Sequence, residues 1–184
     1  MRVHTRFLGI TIISCLLVAC AQQPATATDP VAASSPQPHG NLAQMMRSIA
    51  FSNSNIIFDA QSNDPEARMA AAKAAAQEPG GDPYGGTYGG WSGVEESGVA
   101  ISETANLLTI PGRKCSNGLD VPVDREDWKQ FSQNLADAGV AVQKAAQSKS
   151  MDAIVDVSGT LSDACLACHE VYRDQPAPKQ RCTF

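Results

Sequence analysis

The second half of the chain repeats apolar residues at alternating intervals of three and four, as helices with one buried face do. Asp124 can cap the first of these helices, predicted helix C, and Val123 can staple to Trp128. Its inner face would hold Trp128, Phe131, Leu135, Ala138, Val142 and Ala145. Ser150 can cap the next, predicted helix D, which ends before Pro176 and would bury Ile154, Ser158, Leu161, Cys165, Cys168 and Tyr172.

Two further helices are predicted before these. Predicted helix A covers residues 40–60, where Leu42, Met45, Met46, Ile49, Ile56 and Ile57 recur at helical spacing, although the turn-prone residues 53–55 interrupt the pattern. Predicted helix B runs from about residue 94 to 108, where Pro111 and Gly112 stop it, and its inner face would hold Val94, Ile101, Ala105 and Leu108. Between them, Asp64 and Pro65 favour a short helix to Ala76, whose alanine face offers little to a core. The fold class expected is therefore all-α, as an antiparallel four-helix bundle.

The N-terminus is typical of an export signal. Arg2 and Arg6 precede an apolar run that ends at Ala19 and is too short to span a bilayer. Residues 17–20 resemble the bacterial lipoprotein signal, which predicts lipidation of Cys20; an ordinary secretory signal is the alternative. We therefore expect a signal peptide over residues 1–19, a flexible tether over residues 20–39 and one domain over residues 40–184, held at the membrane in the periplasm.

Charge narrows the choice of partners. Removing the signal takes away two of the 14 basic residues and none of the 19 acidic ones, so the mature chain has a formal charge of −7. Nucleic acid is therefore excluded as an expected partner. Exported proteins with basic patches are favoured, with rates of association that depend on salt.

The strongest chemical signal is the sequence Cys165-Leu166-Ala167-Cys168-His169, the attachment motif for c-type haem. Residues three apart on a helix share a face, so both thiols can bond one porphyrin while His169 offers its imidazole to the iron. A redox disulfide is the first alternative, but it usually belongs to a thioredoxin-like framework of alternating strands and helices. A zinc site is the second, but the mature chain offers only His39 and His169 as histidine ligands.

With this motif near the C-terminus, followed by Tyr172-Arg173, the sequence resembles the cytochrome c′ or class II c-type cytochrome family, including its cytochrome c556-like members. The similarity extends over Met46-Arg47, residues 55–65 and predicted helices C and D. It implies a four-helix bundle carrying one covalent haem c, and family members often pair as homodimers. The chain departs from the family at residues 67–93, where members are usually shorter.

The resemblance also bears on the sixth position of the iron. In the family, a residue of the first helix faces this position, which favours Met46 as the ligand over Met45; both methionines as core fillers are the alternative. A methionine ligand would favour electron transfer, whereas an open position would favour binding of nitric oxide or carbon monoxide. An enzyme such as a peroxidase is not expected, because the sequence shows no spare helical histidine to act as acid or base.

Three further features are Arg173, the two remaining cysteines and a glycine-rich segment. Arg173 can bind a haem propionate or lie on a solvated helix end. Cys115 and Cys182 are expected to form a disulfide in an oxidising compartment. Residues 79–93 contain seven glycines; they predict either a flexible surface loop or a flap in which Tyr84, Tyr88 and Trp91 cover the haem edge.

Overall fold

The structure is a computed structural model that describes residues 35–174 and Cys182. This part of the chain is all-α, as predicted, and forms five helices with no strand among the described residues. Helix α1 consists of Leu42–Met45, a π-helical turn over Met46–Ala50, and Phe51–Asp59. The others are α2 (Pro65–Ala76), α3 (Gly90–Leu108), α4 (Glu126–Ser148) and α5 (Met151–Tyr172). The predicted signal peptide and the lipidation site at Cys20 lie outside the described residues.

The four long helices pack in a closed order. Helix α4 lies against α3 on one side and α5 on the other, and α1 contacts both α3 and α5. The short helix α2 packs beside the start of α3, and no other helix has more than slight contact with it in the described residues. The fully buried side chains between the long helices include Trp128, Ile57, Ile101, Val142, Ile154 and Leu161. Every apolar position predicted for the inner face of helix B is buried: Val94, Ile101, Ala105 and Leu108.

Two of the three helix caps predicted from the sequence are present, and a further one that was not predicted starts α1. Asn41 and Gln44 form a reciprocal capping box at the start of α1. Asp64 accepts the backbone N–H groups of Glu66 and Ala67, and Ser150 accepts that of Ala153, as predicted. The predicted cap at Asp124 is wrong, because Arg125 takes the N-cap position without a side-chain cap.

The reason lies in Asp127, the second residue of the same helix. Its carboxylate accepts the N–H of Trp128 at 3.0 Å and forms a two-pronged ion pair with Arg125. A carboxylate in the first turn also interacts favourably with the helix dipole. The start of α4 is therefore stabilised from inside the helix rather than from the residue before it.

Two further boundaries differ from the prediction. Helix α3 begins at Gly90, inside the glycine-rich segment, because the buried side chain of Trp91 gains more from packing than the flanking glycines lose in helix propensity. Helix α1 is not interrupted at residues 53–55, because the Asn53 amide donates to the carbonyl of Ile49 within a continuous helix. Its irregularity is the earlier π turn.

Helices α3 and α4 approach each other most closely at two glycines. A Cβ atom added to Gly98 would lie 2.8 Å from the carbonyl oxygen of Gly139 and 2.7 Å from the nitrogen of Gln143. One added to Gly139 would lie 2.7 Å from the carbonyl oxygen of Gly98. Real Cβ contacts are longer than this, so only glycine at both positions allows the two backbones to touch.

Candidate functional site

A cavity of about 420 Å³ lies where α1, α3, α4 and α5 meet. This volume is within the range of pockets that hold small molecules and cofactors. Its lining is mainly apolar and aromatic, and includes Phe51, Phe58, Ile101, Leu108, Trp128, Phe131 and Leu135. A concave, mainly apolar surface of this kind, partly open to solvent, suits a large flat hydrophobic ligand.

One wall belongs to α5 and carries the whole predicted attachment motif. Cys165, Cys168 and His169 all line the cavity, together with Tyr172 one turn further on. The two cysteines are half-buried and neither is in a disulfide. The side chains that the sequence predicted to share one helix face therefore do share it.

The facing wall belongs to α1, and the π turn decides which residues it presents. The lining residues Leu42, Met46, Ala50, Ser54 and Phe58 recur every four residues. In a regular α-helix, Leu42 and Phe58 would be rotated apart by about 160°. The wider π turn at Met46–Ala50 removes much of that drift, so all five residues reach the same cavity.

Met46 and Met45 occupy different environments. Met46 lines the cavity, on a different helix from His169. Met45 is 5% exposed and lies in the hydrophobic core rather than among the lining residues. Of the two methionines that the sequence offered as iron ligands, only Met46 can present its sulfur to a molecule in this cavity.

The two motif thiols are held in their neutral form. Burial raises the pKa of Cys168 to about 12, with the neighbouring Cys165 and Asp127 adding to the effect. Burial also raises the pKa of Cys165. Reactive thiols of redox disulfide motifs have lowered pKa values and often sit at helix N-termini, whereas these cysteines lie near the end of α5.

Helix geometry argues against a disulfide between them as well. Side chains three residues apart on a helix have Cβ atoms about 5–6 Å apart. A disulfide needs a Cβ separation of about 3.5–4.5 Å, so the bond would require α5 to distort. The spacing suits two thiols that bond separate points of one ligand.

The charged side chains on the lining are of one sign. Apart from His169, they are Arg47 and Arg173, and no carboxylate appears among the described lining residues. Both arginines are exposed, and Arg173 pairs with its neighbour Asp174 through two hydrogen bonds. In a chain of net negative charge, two arginines at the rim favour a ligand that carries acidic groups, which would compete with Asp174 for Arg173.

Tyr172 connects the cavity wall to the start of α4. Its hydroxyl donates to the Asp127 carboxylate at 2.8 Å, and its ring packs edge-on against Trp128 and Phe131. The hydrogen bonds from Arg125 hold the pKa of Asp127 well below its usual range, at about 2. Burial, with the bond to Asp127, raises the pKa of Tyr172 to about 12. The tyrosine is therefore neutral and the carboxylate ionised at physiological pH.

A disulfide closes the end of the cavity. Cys115 and Cys182 are bonded, as predicted, with Cα atoms 5.9 Å apart, and both are buried. Cys182 and Ser116 contribute to the cavity lining. The disulfide thus belongs to the same region of the protein as the attachment motif.

Sequence reasoning missed several lining residues. Phe51 and Phe58 were not predicted to line a site, and Arg47 was named only for the family resemblance. A strict period of four sustained from Leu42 to Phe58 drifts around a regular α-helix, so the sequence alone does not indicate one face. The aromatic residues of the glycine-rich segment are not on the described lining: Tyr84 and Tyr88 are 71% and 81% exposed, and Trp91 is buried in α3. In the described structure these aromatic residues therefore do not form a flap over the cavity.

Comparison with known proteins gives no family assignment. This chain matches no protein family model, no curated protein and no solved structure. Within residues 35–174, no helix combines the length and the apolar character needed to cross a membrane.

Proposed function

We propose that this protein is an exported c-type cytochrome that carries one covalently bound haem and transfers electrons. The observation that carries the proposal is the meeting of Cys165, Cys168 and His169 on α5 with Met46 on α1 around one apolar cavity. The cavity volume, the neutral thiols and the arginines at the rim agree with it. We further propose that α1, α3, α4 and α5 form the antiparallel four-helix bundle of the cytochrome c′ family. Each of these helices contacts two of the others, which supports this arrangement.

Each residue then has a chemical task. Cys165 and Cys168 would form thioether bonds to the porphyrin, and His169 would donate a ring nitrogen to the iron from α5. Met46 would supply the sixth ligand from α1. Arg47 and Arg173 would lie near the acidic propionates, since a guanidinium matches a carboxylate in charge and shape. The bound haem supplies reversible one-electron chemistry, and no catalytic residue is needed for a carrier.

Location and partners follow from the parts of the sequence that lie outside the described residues. Export by the signal peptide and lipidation at Cys20 would hold the domain at the periplasmic face of a membrane, at the end of its tether. The net negative charge of the mature chain favours other exported redox proteins with basic patches as partners. A homodimer is a further expectation of the family resemblance.

Binding of nitric oxide or carbon monoxide is the second candidate function. The wall around Met46 is formed largely by small or apolar side chains, among them Ala43, Ala50, Phe51 and Phe58. Such a wall admits a small uncharged gas if the methionine does not hold the iron. The two functions thus differ in one bond, between Met46 and the iron.

The deciding experiment is the absorption spectrum of the ferrous protein before and after addition of carbon monoxide. The wild type is compared with Met46→Leu, which keeps an apolar side chain without the sulfur, and with the matched control Met45→Leu. Electron transfer predicts a low-spin wild type and control that ignore carbon monoxide, and a high-spin Met46→Leu that binds it. A high-spin wild type that binds carbon monoxide would make gas binding the leading function.

Covalent attachment has its own test. The mass of the mature protein should exceed that of its polypeptide by one haem in addition to the lipid at Cys20, and the haem should remain with the protein after denaturation. Cys165→Ser and Cys168→Ser should each weaken this attachment. A protein that shows no haem spectrum at all after export would end both candidate functions.

A further inference from the structure

Three consecutive residues after α3 connect the ends of three helices. The Arg113 side chain donates from Nη1 to the carbonyl of Gly40 at 3.1 Å and from Nη2 to that of Leu107 at 3.4 Å. The Lys114 carbonyl accepts the backbone N–H of Leu42 at 2.8 Å. Cys115 is bonded to Cys182, as described above. We call these three residues, Arg113, Lys114 and Cys115, the strap.

The strap holds the two walls that carry the proposed iron ligands. Leu42 is the first residue of α1, and Met46 follows it by one turn. At the other end, the backbone N–H of Cys182 donates to the carbonyl of Tyr172, the last residue of α5, three positions after His169. The strap therefore joins α1 to α5 at the end of the helices where Met46 and His169 lie.

Direct packing between these two walls is slight. Helices α3 and α4, and likewise α4 and α5, touch along much of their lengths, whereas α1 contacts α5 over only a few residues. The cavity occupies the space between them. Side-chain packing alone thus leaves the spacing of α1 and α5 weakly determined, and the strap supplies the missing connection.

Burying the Arg113 side chain in the strap costs folding free energy. The residue is 4% exposed, its guanidinium is bonded only to backbone carbonyls in the described residues, and its Nε is buried without a partner. Burial of this charge lowers the pKa of Arg113. A buried charge without a carboxylate partner is destabilising, so a loop that only filled space would be better served by an apolar side chain.

We infer that the strap sets the distance between Met46 and His169, and so determines whether the methionine reaches the iron. This inference rests on the proposed function, in which Met46 is the sixth ligand. Arg113 and Cys115 are then positioning residues: neither lines the cavity, and both act through the placement of α1 against α5. Cys182 also lines the cavity, so Arg113→Met is the variant that tests positioning alone.

Two variants loosen the strap in different ways. The double variant Cys115→Ser, Cys182→Ser removes the link to α5, and Arg113→Met removes the bonds to Gly40 and Leu107 while it keeps an apolar chain of similar length. The matched control is Lys114→Met, because within the described residues the Lys114 side chain pairs with Asp120 at the surface, and the substitution retains the backbone carbonyl. All are isolated as haem-loaded protein, and helix content is checked by circular dichroism.

The readout is the affinity of the ferrous protein for carbon monoxide, together with its spin state. Loss of one to two hydrogen bonds, or of the disulfide, should release Met46 in a larger share of molecules, and apparent affinity rises in proportion to that share. We expect at least about a tenfold increase in affinity for each strap variant, corresponding to roughly 1.4 kcal/mol, and no change for Lys114→Met.

The outcomes separate the inference from the function beneath it. If both strap variants stay folded and ignore carbon monoxide as the wild type does, the strap is only structural and the inference is wrong, while the proposed function stands. If only the disulfide variant fails to fold, Arg113→Met still decides between the two results. A wild type that itself binds carbon monoxide overturns the methionine ligand, and the inference with it.

Discussion

The Tyr172 hydroxyl donates a 2.8 Å hydrogen bond to the Asp127 carboxylate and so joins the last turn of α5 to the first turn of α4. Asp127 is already oriented by its ion pair with Arg125. Because His169 lies one turn before Tyr172, this contact also fixes the end of the helix that carries the attachment motif. The first two predictions test it.

Tyr172→Phe should lower the free energy of unfolding by about 1 kcal/mol, because it removes one hydrogen bond to a charged acceptor that water can partly replace. The ring contacts with Trp128 and Phe131 are kept. Urea unfolding at neutral pH measures the change. Tyr84→Phe, at an exposed position, is the control and should leave stability unchanged; equal effects of the two substitutions would count against the contact.

Asp127 should also contribute to the loss of stability in acid. Its folded-state pKa of about 2 lies below the ordinary value of 3.8, so the folded state keeps its charge while the unfolded state takes up a proton. The stabilising contribution is fully present above the ordinary pKa and is lost as the pH falls through the folded-state pKa. Between about pH 5 and pH 2, the stability gap between the wild type and Asp127→Asn should therefore narrow.

Urea midpoints of both proteins across this pH range test the prediction, since other carboxylates contribute equally to each. A gap that stays constant would show that the pKa of Asp127 is not lowered by folding. The same pair of proteins can be titrated by NMR to place the pKa directly.

Gly98→Ala and Gly139→Ala should each destabilise the protein by about 1–3 kcal/mol or more, because the new methyl group would meet the backbone of the facing helix. Gly159→Ala is the matched control: a Cβ there meets nothing within 4 Å. Alanine is the better helix former, so this control should gain up to about 1 kcal/mol. Thermal unfolding of the three variants gives the comparison, and a loss of stability in all three would point to a general intolerance of alanine instead.

Removing the disulfide should cost up to about 4 kcal/mol in the free energy of unfolding, since it closes a loop between positions 67 residues apart in sequence. The variant Cys115→Ser, Cys182→Ser, unfolded in urea beside the wild type, provides the value. A loss well under 1 kcal/mol would mean that the unfolded chain is not constrained by this bond.

Several parts of the site could be read from the sequence because they depend on neighbours in the chain. The spacing of Cys165, Cys168 and His169 places them on one helix face in any context, and the inner faces of α3 and α4 follow from the period of their apolar residues. The start of α4 could not be read in this way. The carboxylate that stabilises this start belongs to Asp127, which is held by Arg125 and by Tyr172. Tyr172 is 45 residues away along the chain.

The walls of the cavity lie beyond what local patterns encode. The π turn in α1 brings Phe58 to the same side as Leu42, and its register depends on what the helix packs against. The family resemblance favoured Met46 over Met45, but the helical pattern by itself did not separate them. Adjacent residues point in different directions, and the packing of α1 on α3 and α5 shows which one is buried in the core.

Short-range spacing and backbone chemistry in the amino-acid sequence were enough to specify the helical class, most helix boundaries and the shared helix face of Cys165, Cys168 and His169. The disulfide followed instead from the two cysteines left over in an oxidising compartment. Tertiary structure alone decided that Met46 rather than Met45 shares a cavity with His169, that Gly98 meets Gly139, and that Arg113 is buried between helix ends. These relationships join residues distant in the chain. They arise from how whole helix surfaces fit together, which no local pattern contains.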